Sequence, residues 1–183
     1  MIALPTIRAA AILADPPIGF ATWSVRGQGR SPQRHYSCLT FEQLASIPVA
    51  STAGRNCFLF CWIPLRSIFL VEPFAWGFRF SGAAFAWVKQ NRSDVGWFLG
   101  GGYTSRHNLE VCLLRRRGSP RRKAAGVREL IVAPRREHSR KPDETYRCIE
   151  ALCDEPHLEL FARSSGRAGT SVGDELGRFQ AVS

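Results

Sequence analysis

The sequence predicts an α/β protein, a mostly parallel sheet with helices on both faces and its ligand sites along one rim. Short apolar runs rich in small and branched residues alternate with stretches of helical spacing. The first run, Ala11-Ile12-Leu13-Ala14, reads as a buried parallel strand and stops abruptly at Asp15-Pro16-Pro17. Neither proline has a backbone N–H to donate, so the ladder ends there. The Asp15 carboxylate is thereby left at the carboxyl end of a central strand, where open α/β sheets bind ligands.

A chain of 183 residues has the length of one domain and is large enough for a real core, so 1–183 is read as a single unit. At 45% hydrophobic and 22% charged residues it is globular in character, not disordered. The net charge of +10 is uneven. Arg115-Arg116-Arg117, Arg121-Arg122-Lys123, Arg135-Arg136 and Arg140-Lys141 predict salt-sensitive attraction to a polyanion. A solvated basic loop with no partner is the other reading of such a run. The six cysteines include no CxxC pair and no Cys/His zinc spacing. No metal is therefore expected, and a reducing, cytoplasmic setting is the simple reading. The longest apolar run, Cys57 to Leu65, is too short for a bilayer and is closed by Arg66; Arg8 interrupts the first apolar stretch. No membrane partner is expected.

Residues 18–34 contain Gly19, Gly27, Gly29 and Pro32 together with Arg26, Arg30 and Arg34, and read as a long loop closed by His35-Tyr36. Thr40-Phe41-Glu42-Gln43 is a capping-box pattern that predicts a short helix to about Ile47, ended by Pro48. Cys57 to Trp62 is a second buried strand with Pro64 at its rim. Leu65 to Trp76 is helical in part, interrupted at Pro73, and Phe78 to Val88 reads as a third strand. After a glycine-rich stretch around Gly100-Gly101-Gly102, Asn108 to Leu114 is a fourth. Gly118, Ser119 and Pro120 make the basic segment Arg115 to Lys123 a loop, and Leu130 to Ala133 is a fifth strand. Lys141-Pro142-Asp143-Glu144 starts a helix, with acids beside the positive dipole end. Tyr146, Ile149, Leu152 and Cys153 share one face of it. His157 to Arg163 is a sixth strand, and the tail from Gly166 is Gly/Ser-rich.

Four polar groups are expected to meet at the rim: Asp15, the Asn108/Glu110 pair, Lys141 and the Glu159–Arg163 strand end. A carboxylate followed by two stiff prolines with acceptor carbonyls suits the exocyclic amine of adenine or cytosine, a pure donor. Each element also has a plainer reading. Asp-Pro-Pro ends a strand in a turn, Glu159 and Arg163 form a surface ion pair, and Lys141 merely begins a helix. Asn108 and Glu110 pair with neighbouring loops, and His35-Tyr36 either packs the loop or stacks beside a base.

Taken in order, the chain resembles the MT-A70 family of adenine N6-methyltransferases over nearly its whole length. The resemblance lies in Asp15-Pro16-Pro17, His35-Tyr36, Phe60-Cys61-Trp62, Trp76-Gly77-Phe78 and Trp87-Val88-Lys89. It continues through Thr104 to Glu110, Leu114 to Gly118, His138 to Glu144 and Glu159 to Arg163. It implies a Rossmann-like S-adenosylmethionine-dependent methyltransferase fold, and methyl transfer to the N6 amine of adenine in DNA, with RNA as the other substrate. Asp15, Pro16 and Pro17 match the family's catalytic motif. The resemblance places Asp15, Arg117, Lys141, Glu159, Arg163, Asp174 and Glu175 at the cofactor. It places Ile18, His35, Tyr36, Asn108, Glu110, Arg115 and Arg116 at the substrate. The loops at 18–34 and 115–123, with 135–141, are expected to contact nucleic acid, and a homo- or heterodimer is compatible with the family. Where the family has Trp after Pro-Pro, this chain has Ile18. Loss of that stacking aromatic makes a catalytically weak or silent nucleic-acid-binding subunit the alternative reading.

Overall fold

The structure, a computed structural model, describes residues 3–18, 38–70, 76–93, 95–102, 104–136, 140–163 and 169–173. The elements in chain order are β1 (Ala9–Ala14), α1 (Phe41–Ala45), β2 (Ala53–Ile63), β3 (Arg79–Gln90) and β4 (Leu109–Arg117). They continue with β5 (Leu130–Pro134), α2 (Glu144–Leu152), β6 (His157–Leu160) and β7 (Thr170–Val172). Short 3-10 segments lie at Val49–Ser51 and Leu65–Leu70.

The seven strands form one sheet in the order β5-β3-β4-β2-β1-β6-β7. Every neighbouring pair is parallel except β2 with β4 and β3 with β4. One strand, β4, therefore runs against the other six. In β1, Ala14 lies opposite Cys61 of β2 on one side and Leu160 of β6 on the other. The carboxyl ends of three parallel strands thus share one rim, and Asp15 steps off the middle one.

Side chains alternate between the two faces of a strand, and the core divides accordingly. Ile12, Ala14, Leu59 and Cys61 pack with Leu44 of α1 and with Val49. Ala11, Leu13, Phe60 and Trp62 pack with Ile149 of α2 and with Cys153. Both faces of the central strands are covered, which explains why β1 and the end of β2 read as continuous apolar runs. Burying each large apolar side chain contributes about 1.5–3 kcal/mol.

The capping box forms as expected: Gln43 N–H donates to Thr40 Oγ1 at 3.2 Å, and Thr40 N–H donates to Gln43 Oε1 at 2.8 Å. The helix stops at Ala45, two residues short of Ile47. Trp76 Nε1 donates to the Leu44 carbonyl at 2.8 Å, tying this end to the chain before β3.

Three expectations need correction. Arg115, Arg116 and Arg117 are not loop residues but the end of β4, held between β2 and β3. Arg115 is only 2% exposed; its Nη1 donates to the Phe78 carbonyl at 3.3 Å and its guanidinium lies over the Phe80 ring. The loop begins at Gly118, whose φ of +64° suits glycine. The sixth strand ends at Leu160 because Phe161 turns to a φ of +62°. In the Gly/Ser-rich tail, Thr170–Val172 pairs with β6 as a seventh strand.

Candidate active site

Strand direction builds this site. Because β4 is antiparallel to its neighbours, its first residues arrive at the rim where the parallel strands end. Glu110 therefore meets Lys89, near the end of β3, whose backbone bonds Asn108, while Asp15 meets Arg163 just beyond β6. Lys141, three residues before α2, closes over them.

Asp15 Oδ2 accepts from Lys141 Nζ at 2.7 Å, and Arg163 Nη1 lies 3.8 Å from the same oxygen. Lys141 Nζ is 3.5 Å from Glu110 Oε2, and Lys89 Nζ donates to Glu110 Oε1. Charges thus alternate across the rim from Arg163 through Asp15, Lys141 and Glu110 to Lys89. The Lys141 ammonium also sits 5.6 Å from the centre of the Trp62 ring, and Lys89 lies 4.9 Å from that of Trp87. Burial pulls the Lys141 pKa down, but Asp15 and Glu110 overcome it and leave the ammonium above its ordinary value. Burial would raise Glu110, yet Lys141 and Lys89 hold it at about 2.

A second polar pair lies beside this row. Tyr146 OH, on α2, donates to Glu159 Oε1 at 2.8 Å. Burial is the main cause that lifts Glu159 to about 7; Asp15 adds to it, while Tyr146 and Arg163 oppose it. Burial and then the Glu159 charge push the Tyr146 hydroxyl up. Glu159 Oε2 is buried with no hydrogen-bond partner among the described residues, and so is the Oγ of Ser171, its register neighbour on β7. Two unsatisfied groups on adjacent strands cost about 1–3 kcal/mol each. A ligand presenting donors and acceptors together, as nucleoside hydroxyls do, would satisfy both.

The other expected site residues fall differently. The carbonyls of Pro16 and Pro17 are not left free: they accept from Ile18 N–H at 2.8 Å and Leu39 N–H at 2.9 Å, keeping one lone pair each. Ile18 is 4% exposed, bridges to Leu39 and packs in the α1-side core, so it offers no stacking surface. An apolar branched side chain gains more by burial than by lining a polar rim. The Asn108 carbonyl accepts from Lys89 N–H at 2.8 Å. Arg115, Arg116 and Arg117 lie at the opposite end of β4 from Glu110, and Arg117 Nη1 donates to the Ala50 carbonyl at 2.6 Å. They are removed from Asp15 by the direction of the strand. His35, Tyr36, Asp174, Glu175 and positions 19–34 of the long loop lie outside the described residues.

Lys89 and Tyr146 are contributors that the reading of the sequence did not place at the site. The signal for Lys89 was its position two residues after Trp87, on the same face of a strand ending at the rim. Tyr146 was legible only as a core-facing helix residue, because its hydroxyl finds Glu159 through tertiary packing.

Among the described residues, no helix is long and apolar enough to cross a membrane, and no three His, Cys, Asp or Glu side chains group to hold a metal ion. All six cysteines are free thiols.

A mostly parallel sheet with helices on both faces, a single antiparallel strand and a charged rim around Asp-Pro-Pro is a Rossmann-like fold of the methyltransferase class. The chain belongs to the MT-A70 family, whose profile matches residues 9–175. It is 32% identical over 161 residues to the human N(6)-adenosine-methyltransferase catalytic subunit METTL3, covering 84% of this chain and 25% of that protein. It is 29% identical over 171 residues to an Arabidopsis thaliana N(6)-adenosine-methyltransferase MT-A70-like protein, covering 90% and 23%. Type II methyltransferase M.MunI from a Mycoplasma species is 31% identical over 139 residues, covering 71% and 55%. The chain thus spans from about a quarter to about half of the length of these curated relatives.

Proposed function

We propose that this chain, acting in the cytoplasm as a single methyltransferase domain, transfers a methyl group from S-adenosylmethionine to the N6 amine of adenine in DNA. The observation that carries this is Asp15, set at the carboxyl end of β1 by two prolines and fixed through one oxygen by Lys141 and Arg163. The relatives named as N6-adenosine methyltransferases and as a type II methyltransferase support the reaction class. M.MunI matches over the largest share of its own length among the three relatives described, which supports DNA over RNA.

S-adenosylmethionine, when bound, supplies an electrophilic methyl group on a sulfonium. Glu159, with its unpartnered Oε2, and Arg163 would hold the nucleoside portion, and Lys141 the charged end near Asp15. The target base must leave its stack or be presented single-stranded. The Asp15 carboxylate and the remaining Pro16 lone pair then accept from its amine and orient the nitrogen lone pair toward the methyl group. Positioning supplies most of the rate, and the carboxylate stabilises the positive charge that grows on nitrogen. The proton shed by the methylated amine lies within reach of Asp15, whose partly exposed side chain passes it to solvent.

A second reading follows from Ile18. Its burial leaves no aromatic directly after Pro-Pro, which favours a silent nucleic-acid-binding subunit. Incubation with S-adenosylmethionine and unmethylated DNA, with RNA in parallel, followed by digestion and mass spectrometry, decides between them. N6-methyladenine in DNA is expected. Its absence from both substrates, together with no cofactor binding by calorimetry, would establish the silent subunit.

A further inference from the structure

Helix α2 packs on the sheet through Ile149, and Cys153 follows on the same side. Tyr146, three residues before Ile149, packs its ring against that cluster, but its hydroxyl leaves the apolar face and donates to Glu159 Oε1 at 2.8 Å. A phenylalanine would fill the same space without the bond. The helix that follows Lys141 is thereby tied to the strand that leads to Arg163.

A carboxylate has two acceptor oxygens, and Tyr146 takes one. The other, Oε2, has no partner among the described residues, although Glu159 is only 8% exposed. On the strand beside it, the Oγ of Ser171 is buried and equally without a partner. The neighbour on the other side is Leu13, which has no polar side-chain group to offer. Adjacent strands lie about 4.8 Å apart, so one hydroxyl, or two on neighbouring carbons, can bond both groups at once. Buried polar groups left in this state call for a ligand or an ordered water.

Several charges bear on Glu159. Burial raises it to about 7 against the hydrogen bond from Tyr146; Asp15, at the end of β1, adds to the rise and Arg163 opposes it. Ahead of α2, Arg140 acts on the Tyr146 hydroxyl and Lys141 holds Asp15. From β7 comes Ser171, which does not titrate. Tyr146 thus fixes a carboxyl torsion that is otherwise broad, and it favours the ionised form. An ionised acceptor makes the stronger bond to a hydroxyl, and its charge suits a sulfonium ligand.

We infer that Tyr146 is a positioning residue of the cofactor site: its hydroxyl occupies Oε1 and holds Oε2 beside Ser171 Oγ, where the two receive a hydroxyl of the cofactor's nucleoside. This role rests on the methyltransferase reading above, which sets Glu159 at S-adenosylmethionine, and adds Tyr146 and Ser171 to it.

Calorimetric titration of the full chain with S-adenosylmethionine from pH 6 to 8 tests the assignment. In the unaltered chain affinity is expected to rise with pH as Glu159 ionises, and Glu159→Gln is expected to flatten that rise. Tyr146→Phe is expected to bind about tenfold more weakly at pH 7 and to move the rise to higher pH, because the carboxylate loses a donor. Ser171→Ala is expected to lose about threefold with the rise left in place. A Tyr146→Phe chain with the affinity and pH profile of the unaltered chain overturns the inference, and Oε2 then holds a buried water only. So does weaker binding with an unmoved pH profile, which would make Tyr146 a packing residue of α2. Should Tyr146→Phe fail to fold by far-UV circular dichroism, Ser171→Ala decides: a loss of affinity supports the pairing with Oε2, and unchanged affinity overturns it. If the unaltered chain binds no S-adenosylmethionine at any of these pH values, the methyltransferase reading itself fails and this role falls with it.

Discussion

Lys141 Nζ lies 2.7 Å from Asp15 Oδ2 and 3.5 Å from Glu110 Oε2, so a single ammonium joins the end of β1 to the start of β4. Neither carboxylate is near the other in sequence, and Lys141 belongs to neither strand. The contact makes the position of Asp15 depend on three separate elements. It also means that removing the cation leaves Asp15 with only Arg163, at 3.8 Å, and Glu110 with only Lys89, on a partly buried rim.

Lys141→Met is therefore expected to destabilise the fold by about 1–3 kcal/mol, below the cost of breaking a fully buried pair because the partners keep some solvent contact. Urea unfolding at pH 7 measures the change. The Lys141→Met, Glu110→Gln double variant should recover part of the loss, since one of the two acids is then neutral.

For the proposed transfer, Asp15→Asn keeps the shape of the side chain but removes the charge that faces the amine. A fall in kcat of about a hundredfold is expected, with cofactor affinity changed far less. Asp15→Ala should abolish transfer while far-UV circular dichroism stays unchanged. Full activity in Asp15→Ala would exclude this carboxylate from the chemistry.

Glu159 gives the stability a definite pH dependence. Its ordinary value is 4.5 and its folded value is about 7. Between those values the folded chain holds a proton that the unfolded chain has lost, so stability falls as pH rises through that window. The full change is about 3 kcal/mol, and Glu159→Gln should flatten it. Glu110 acts in the opposite sense: its folded value of about 2 contributes stability above pH 4.5 that disappears as pH falls toward 2. Denaturation midpoints from pH 3 to 8 in the single variants Glu159→Gln and Glu110→Gln separate the contributions.

Gly118→Ala tests the end of β4. At a φ of +64°, an added Cβ would lie 2.4 Å from the Arg55 carbonyl oxygen and 2.4 Å from Asn56 Oδ1. A loss of about 2 kcal/mol or more is expected in thermal unfolding, because both the backbone conformation and the space are denied to alanine.

Much of this protein was determined by the sequence alone, wherever the physics is local. Apolar runs marked β1 and the core half of β2, prolines stopped β1 at Asp15, Thr40 and Gln43 capped α1, and helical spacing set Ile149 and Tyr146 on one face of α2. The ordered motifs also carried the family. What only the tertiary structure decided was strand direction, register and who faces whom. The run Arg115-Arg116-Arg117 looks like an exposed basic loop, but pairing on both sides extends β4 through it. The antiparallel sense of β4 then carries it to the far end of the sheet while bringing Glu110 to Asp15. Three residues of a polar tail became β7 because β6 offered an open edge, a partner no local signal announces. Ile18 turned into the core, and Lys89 joined the charged row, for the same reason. Hydropathy reports whether a residue is buried, whereas backbone hydrogen bonds between segments distant in sequence settle which neighbours it is buried with.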